Sequence, residues 1–215
     1  MSKVLKIALF GATGMIGSRI ASEAARRGHQ VTALARNPER VPTDIANLKA
    51  AQADLLDAAS VAAAVRGHDV VASAYAPPRD DAGIVVTASH TLVEGVRAAG
   101  LKRLVVVGGA GSLEVAPGKQ LVDSEGFPDA YKAVALAHRD AFTFYLTVSD
   151  LDWTVFAPAA LIAPGERTGV FRTGADTLLA DASGNSQISA EDYAIAFVDE
   201  LEQGRFIRKI ATVAY

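Results

Sequence analysis

The sequence contains no cysteine, which excludes disulfide bonds, thiolate zinc sites and cysteine nucleophiles. No apolar run approaches the ~20 residues that a membrane-spanning helix needs. The amino-terminal stretch "MSKVLKIALF" leads directly into a glycine turn, whereas a secretory signal carries a longer apolar stretch and a cleavage site. We therefore expect a cytoplasmic protein with no membrane association.

The net charge is also small, and aromatic side chains are few. The net charge is only −3, with no long run of one sign, so the sequence offers no electrostatic surface for nucleic acid. Aromatic residues make up 7% of the chain and hydrophobic residues 50%, which predicts a core of Ala, Val, Leu and Ile. Such a core suits strands that are buried on both faces under helices. At 215 residues, we expect a single domain over residues 1–215.

Short aliphatic runs alternate with helical patterns over the first 107 residues. The predicted strands are VLKIALF, QVTALA, LKAAQA, DVVASA and RLVVVG, and the predicted helices cover residues 15–27, 57–66 and 83–99. Strand–helix alternation of this kind is typical of parallel sheets with helices on both faces. The sequence therefore predicts an α/β fold with a Rossmann-type, doubly wound parallel sheet.

The regular alternation of strand and helix patterns ends after residue 107. Residues 108–129 have no periodicity and contain five glycines and two prolines, which indicates a long loop that is either functional or disordered. We then expect a helix over 129–149, a strand in DWTVFAP, a small hairpin in GVFRTGADTLLA, a helix capped by Ser189, and a terminal strand in KIATVAY. Residues 108–129 and 158–188 should form substrate-side loops, a small region at the carboxyl edge of the sheet.

Three glycines directly follow the first strand and open the first helix. In "FGATGMIG", Gly11 permits a tight turn, Gly14 allows close approach to a pyrophosphate, and Gly17 allows the helix to pack on the strand. The helix amino terminus offers free N–H groups and a positive dipole end to phosphates. The residues between these glycines are cofactor-binding candidates as well: Thr13, Met15 and Ile16. The motif therefore predicts a dinucleotide site.

The end of the second strand predicts which dinucleotide is bound. An acidic residue there would accept hydrogen bonds from a ribose 2′-hydroxyl. The sequence instead has Arg36, followed by Arg40. A guanidinium matches a phosphate bidentately, so we expect NADP(H) to be preferred over NAD(H). Alternatively, Arg40, or even Arg36, is an ordinary solvated surface charge.

Further cofactor-binding candidates follow the later strands: Asp54, Leu55, Ser73, Ala74, Tyr75 and Pro158. Ligands of open α/β sheets lie outside the carboxyl ends of the strands, which is where these residues are expected. Asp54 would lie near the adenine, and Ser73, Ala74 and Tyr75 would lie beside the nicotinamide ribose. Alternatively, Asp54 caps the following helix and Tyr75 is a packing residue.

Several segments together carry a family resemblance. They are "FGATGMIGSRIASEAARRGHQVTALARNPER", "ADLLD", "VVVGGAGSL", "LDWTVFAPA" and "ISAEDYAIAFVDELE". In these the chain resembles atypical short-chain dehydrogenase/reductase proteins of the NAD(P)H-binding or NADH–flavin reductase type. NmrA-like sensors and biliverdin reductase B are more distant relatives. The resemblance implies a Rossmann domain with a small substrate region, NADP(H) as cofactor, and reduction of flavins or similar acceptors.

The chain lacks the residue pair of ordinary carbonyl reduction. Alcohol dehydrogenases of the short-chain type carry Tyr-x-x-x-Lys, in which lysine lowers the tyrosine pKa. No tyrosine here has a lysine four residues later. Ser112, after the fifth strand, is the best catalytic candidate to orient an acceptor or donate a proton, and it could equally bond local backbone. The four histidines show no metal-ligand spacing, so no metal is expected.

Three functional hypotheses follow from these observations. The first is an NADPH-dependent oxidoreductase that transfers hydride to a flavin, a quinone or a similar conjugated acceptor. The second is a non-catalytic, NmrA-like NADP(H) sensor. The third is a sugar epimerase or dehydratase, against which the missing Tyr-x-x-x-Lys pair argues. For the reductase the partner is a small-molecule acceptor, and a flavin can be that substrate. The sensor would instead discriminate strongly between NADP+ and NADPH, or retain a protein partner with only one of them. We expect a monomer or a homodimer.

Overall fold

A computed structural model describes residues 3–42 and 44–215. It has five helices among these residues: α1 (Met15–Arg26), α2 (Ala58–Val65), α3 (Ile84–Ala98), α4 (Asp129–Leu146) and α5 (Ala190–Gln203). The first five strands are β1 (Lys6–Phe10), β2 (Gln30–Ala35), β3 (Leu48–Gln52), β4 (Val70–Ser73) and β5 (Arg103–Val107). The later strands are β6 (Glu114–Ala116), β7 (Lys119–Gln120), β8 (Asp152–Ala157), β9 (Leu161–Ala163), β10 (Arg172–Ala175), β11 (Gln187–Ser189) and β12 (Lys209–Ala214).

The central sheet has eight strands in the order β10-β12-β8-β5-β4-β1-β2-β3. Its strands pair in parallel, apart from β10, which is antiparallel to β12 at the edge. The chain starts in the interior of the sheet, runs out to β3 and then returns to β4 on the other side of β1. This is the predicted doubly wound α/β fold, with its switch point between β1 and β4.

The strands are buried because hydrophobic layers cover both faces of the sheet. On the face of α1 and α5, Phe156 packs edge-on against Tyr193 and Phe197, with 5.6 and 5.9 Å between ring centroids. On the face of α2, α3 and α4, Tyr145 packs against Trp153 at 5.8 Å. The aliphatic strands that the composition favours therefore lie between two helical layers. None of the helices that the structure describes combines the length and apolar character needed to cross a bilayer.

The predicted hairpin in GVFRTGADTLLA is wrong. Of this segment only β10 is a strand, and it pairs with the edge of the main sheet, Gly174 opposite Thr212. The chain then turns at Asp176, whose φ is 61°, and the Leu178 N–H donates to the carbonyl of Glu114. The physical reason is the free edge of β12, which offers β10 a full row of backbone partners that a local hairpin would leave exposed.

The segment 108–129 is more ordered than its composition indicates. It contains a short antiparallel hairpin of β6 and β7 between two single 3₁₀ turns. A second unpredicted feature is the parallel pair β9–β11, of three residues each. The predicted cap of α5 is confirmed, since the Ser189 hydroxyl accepts a hydrogen bond from the Asp192 N–H at 3.0 Å.

Candidate functional site

The glycine turn brings β1, α1 and β4 into close contact. Gly11 has a φ of +78°, and a Cβ there would lie 2.5 Å from the carbonyl group of Ala74. A Cβ on Gly17 would overlap the carbonyl of Gly11. Only glycine fits either position, because backbone occupies the space of a side chain. The turn is therefore held against the carboxyl end of β4.

Gly14 has a different environment. It is the N-cap of α1, and a Cβ there would meet only the carbonyl oxygen of Gly11, at 3.5 Å. No side chain caps this helix end, so the first N–H groups of α1, from Met15 and Ile16 onward, have no acceptor within the helix. An open, uncapped helix terminus behind a glycine turn fits a pyrophosphate by geometry and by dipole.

A cleft of about 250 Å³ opens at the carboxyl ends of β1, β2, β3 and β4. The structure brings eight of the predicted residues to its walls: Gly11, Thr13, Gly14, Arg36, Asp54, Leu55, Ala74 and Tyr75. The cleft is also lined by six residues that were not predicted as site residues: Phe10, Leu34, Ala35, Ala53, Leu56 and Ala76. Apolar walls with a few polar groups suit a nucleoside.

The two predicted arginines differ in position. Arg36 is exposed at the end of β2 and lines the cleft, and its carbonyl accepts a hydrogen bond from the Gln52 side chain. Arg40 is exposed in the 3₁₀ turn that follows and does not lie on the cleft wall. Among the described residues of the wall, Arg36 is the one with a cationic side chain.

Asp54 shapes the turn after β3. Its Oδ1 accepts a hydrogen bond from the Leu56 N–H at 2.9 Å, and its own N–H donates to the Ser60 hydroxyl. It does not cap α2, because that position belongs to Asp57, whose Oδ1 accepts from the Ala59 N–H. The Asp54 side chain thus holds a turn and lines the cleft at once.

Tyr75 lies on the wall between the cleft and a second, smaller cavity. Burial raises the pKa of its hydroxyl, an effect that the nearby positive charge of Arg36 opposes and the carboxylates of Asp81 and Asp54 reinforce. The hydroxyl is therefore protonated at neutral pH. Leu55 is the other residue that lines both spaces.

The second cavity, of about 30 Å³, lies under α3 and α4 at the carboxyl ends of β4 and β5. We call it the inner cavity. Its polar lining side chains are Ser73, Tyr75, Ser89, His138 and Tyr145. Ser73, predicted beside the nucleotide, faces this cavity and is absent from the walls of the cleft.

Ser112 and Pro158 follow β5 and β8 and line neither space. Ser112 is 3% exposed, its N–H donates to Gly109, and its hydroxyl has no partner among the described residues. Its catalytic role stays a prediction. Pro158 is buried, and its carbonyl accepts from the Thr212 hydroxyl at 3.5 Å. Met15, Ile16 and Gly17 belong to the first turn of α1 behind the cleft.

Helix α4 explains the missing tyrosine–lysine pair. Tyr131 is 59% exposed near its start, and four residues later stands Ala135, 8% exposed. A Cβ added at Gly111 would lie only 2.8 Å from the Cβ of Ala135. Ala135 is therefore buried against the turn after β5, and a lysine at this position would have to displace packed neighbours. In residues 3–42 and 44–215, no three histidine, aspartate or glutamate residues come together as a metal-ion site.

Part of the segment 158–188 is hydrogen-bonded to α1 and α5. The Gly165 N–H donates to Glu191 at 2.7 Å, and the Thr168 and Gly169 N–H groups donate to the buried carboxylate of Asp192 at 2.8 Å each. Arg167 forms two hydrogen bonds with Glu23 of α1. Residues 165–169 are therefore held against α1 and α5 by hydrogen bonds to charged side chains.

Comparison with known proteins agrees with this geometry. Residues 11–203 match the model of a family described as NAD(P)H-binding. A solved structure from Burkholderia pseudomallei, provisionally named an exported protein, is 72% identical, with a TM-score of 0.92 over 99% of this chain and 100% of that one.

Two further solved structures carry provisional enzyme names. One from Bacteroides thetaiotaomicron, named an epimerase, is 40% identical with a TM-score of 0.92, covering 99% of this chain and 98% of that one. One from Streptococcus pneumoniae, named an NADH-flavin reductase, is 32% identical with a TM-score of 0.88, covering 98% and 99%. The chain belongs to the NAD(P)H-binding family of oxidoreductase-like Rossmann proteins.

Proposed function

We propose that the protein is an NADPH-dependent reductase that transfers hydride to a flavin, a quinone or a similar conjugated small molecule. One observation carries this proposal: Arg36 and the glycine turn meet at one cleft. A cationic side chain and an uncapped helix terminus are the two features that a dinucleotide with an additional phosphate requires.

The residues of the cleft fit the parts of NADPH. Gly14 and the first turn of α1 would hold the pyrophosphate, and Arg36 the 2′-phosphate. Asp54 and Leu55 would lie at the adenosine. Ser73, Ala74, Tyr75 and Pro158 would lie toward the nicotinamide half. When bound, NADPH supplies a hydride at its nicotinamide ring.

The proposed acceptor class follows from the missing Tyr-x-x-x-Lys pair. Carbonyl reduction is helped by an acid beside the oxygen, and no tyrosine of this sequence has a lysine four residues later to activate it. A conjugated ring such as a flavin accepts hydride without that help, so the protein need only hold donor and acceptor together. Such positioning can supply ~7–11 kcal/mol of the barrier. The provisional name of the Streptococcus pneumoniae structure supports the same class.

The test is loss of NADPH absorbance with flavin mononucleotide, riboflavin and quinones, each compared with NADH. Faster turnover with NADPH than with NADH supports the proposal. Binding of NADPH with no turnover of any acceptor overturns it and favours the NmrA-like sensor.

The epimerase is a second candidate because of the provisional name of the Bacteroides thetaiotaomicron structure. It predicts that the protein purifies with a bound oxidised dinucleotide and interconverts nucleotide sugars. The same preparation can be assayed for both activities, which separates the two candidates directly.

We also propose that the protein acts in the cytoplasm as one domain, with residues 108–129 and 158–188 around the acceptor. Cell fractionation tests the location, which matters because one similar structure is provisionally named an exported protein. Light scattering decides between monomer and homodimer.

A further inference from the structure

His138 stands apart from two of the other histidines in its bonding. The ring of His29 accepts from the Leu5 N–H at 3.1 Å and contacts Glu202 at 2.8 Å. The ring of His68 contacts Val65 and Thr32, both at 2.9 Å. Within residues 3–42 and 44–215, neither ring nitrogen of His138 makes a hydrogen bond, although the ring lines the inner cavity. Its bonding capacity is thus unused by the protein itself.

The backbone after β5 makes room for this ring. A Cβ at Gly109 would lie 3.0 Å from the Cβ of His138 and 3.3 Å from its Cγ. Any larger residue at 109 would press on the imidazole. Gly108 lines the same cavity. The ring therefore lies directly beside the peptide that leaves the carboxyl end of β5.

The imidazole is uncharged at neutral pH. Burial alone lowers its pKa to about 4, without a nearby charge that contributes. A neutral imidazole has one N–H donor and one free acceptor nitrogen, so it can bond a hydroxyl group in either sense. The groups that share the cavity are also neutral or polar: Tyr75, Ser73, Ser89 and Tyr145.

The path of a bound dinucleotide leads toward this ring. The cleft at the ends of β2 and β3, with Arg36 and Asp54, suits the adenosine half. The pyrophosphate would cross the switch point between β1 and β4, and the other half would continue over β4 and β5. Tyr75 and Leu55 are walls of both the cleft and the inner cavity, so the two spaces are neighbours.

We propose that His138 is a cofactor-binding residue whose imidazole hydrogen-bonds a hydroxyl of the nicotinamide-side ribose. The inference rests on the proposed function only in assuming that a dinucleotide binds. It does not require hydride transfer. At about 30 Å³ the inner cavity has room for a hydroxyl group but not for the ribose ring, so the ribose hydroxyl would reach His138 from the edge of this cavity.

Calorimetry with two ligands tests this assignment. NADP+ contains both halves, whereas 2′,5′-ADP contains only the adenosine half with its phosphate. For His138→Leu we expect about tenfold weaker NADP+ binding, as for the loss of one hydrogen bond, and unchanged 2′,5′-ADP binding. His138→Gln, which retains a donor and an acceptor, should recover part of the loss. His90→Leu is the matched control, since His90 stacks on Phe144 outside the cavity, and should affect neither ligand.

Equal losses for both ligands, or no loss of NADP+ affinity, would overturn the assignment. If the wild-type protein does not bind 2′,5′-ADP, the preference for NADP(H) fails, and the same comparison is made with NAD+ and AMP. If no dinucleotide binds, both the assignment and the proposed function fail. A His138-dependent affinity without turnover of any acceptor would support the assignment and overturn only the reductase.

NMR on the wild-type protein gives a result even if the variants do not fold. The ring resonance of His138 should shift on addition of NADP+ and stay in place with 2′,5′-ADP. It should not titrate between pH 5.5 and 8, because a group with a pKa of about 4 is neutral throughout this range. A ring resonance that ignores bound NADP+ would overturn the assignment.

Discussion

Ala135 of α4 lies so close to Gly111 that a Cβ added to the glycine would be 2.8 Å from the Ala135 Cβ. The contact joins the helix to the turn after β5. The same added Cβ would also lie 3.3 Å from the Cβ of Val122. Position 135, four residues after Tyr131, is thus a packed contact of the helix, and a lysine there would disturb it.

Ala135→Lys recreates the sequence Tyr-x-x-x-Lys, yet we expect no alcohol dehydrogenase activity from it. The added side chain overfills a packed contact, so the free energy of unfolding should fall by about 1–3 kcal/mol. Urea denaturation and an alcohol oxidation assay measure the two effects. Ala133→Lys, on the exposed face of the same helix, should unfold like the wild type. A stable variant that oxidises alcohols would contradict this view.

Arg36→Ala should weaken NADPH binding by about 10–100-fold, because a charged hydrogen bond contributes roughly 1.5–3 kcal/mol. Binding of NADH, which has no 2′-phosphate, should change little. Arg40→Ala is the comparison, since Arg40 is exposed but does not line the cleft, and its effect should be smaller. Fluorescence titration of each variant with NADPH and with NADH gives the four Kd values to compare with those of the wild type. Equal losses for NADPH and NADH with Arg36→Ala would refute the 2′-phosphate assignment.

Gly17→Ala should destabilise the protein, whereas Gly14→Ala should not. The methyl group at 17 would overlap the carbonyl of Gly11, which costs about 1–3 kcal/mol as strain. At 14 the nearest atom is 3.5 Å away, so the fold has room and only a ligand would meet the methyl group. Thermal unfolding with and without NADP+ separates the two cases. Gly14→Ala should lose the stabilisation by NADP+, while its melting temperature without ligand should stay near that of the wild type.

Glu23 should contribute pH-dependent stability. Burial raises the pKa of its carboxyl group, but hydrogen bonds from Arg26, Arg167 and Arg27 outweigh burial and lower the pKa from 4.5 to about 2. The charged form therefore stabilises the fold above pH 4.5, and this contribution disappears as the pH falls toward 2. Glu23→Gln should lower the free energy of unfolding at pH 7 by on the order of 2 kcal/mol. Denaturation at pH 7 and pH 3 should show a smaller difference between variant and wild type at pH 3.

Ser112→Ala tests the predicted catalytic role. The hydroxyl has no partner in the described chain, so its removal should leave the ligand-free protein equally stable or up to about 1 kcal/mol more stable. If the acceptor supplies the missing partner, kcat should fall about tenfold, as expected for the loss of one hydrogen bond. Ser124→Ala in the same segment serves as the control. Unchanged kcat in Ser112→Ala would assign the hydroxyl to packing alone.

Local patterns predicted most of the sheet and its helices, because the period of the side chains and the turn residues act over a few positions. The glycine turn and Arg36 were predictable for the same reason, as both follow directly on strands. The proposed role of His138 could not be predicted in this way, because in the sequence it is one residue of a helix, next to Arg139 and Asp140. A signal was present in the spacing of Ala135, His138 and Ala141, which lie on one face of α4.

Long-range pairing limited the prediction elsewhere. Strand β10 pairs with β12, and nothing within its own four residues indicates that partner. The position of Ser73 also depends on the packing of α3 and α4 over β4, which decides that it faces the inner cavity. Such features arise where separate segments compete for the same partner, so that one segment alone does not determine them.

The order of strands at the sheet edge has a consequence for how the chain is made. Strand β12 lies between β8 and β10 but is synthesised after both. Until residues 209–214 leave the ribosome, β8 has an open edge and β10 lacks its neighbour. During that interval β10 could pair directly with β8, a pairing that the folded sheet does not contain. The sheet would then have to open again to admit β12.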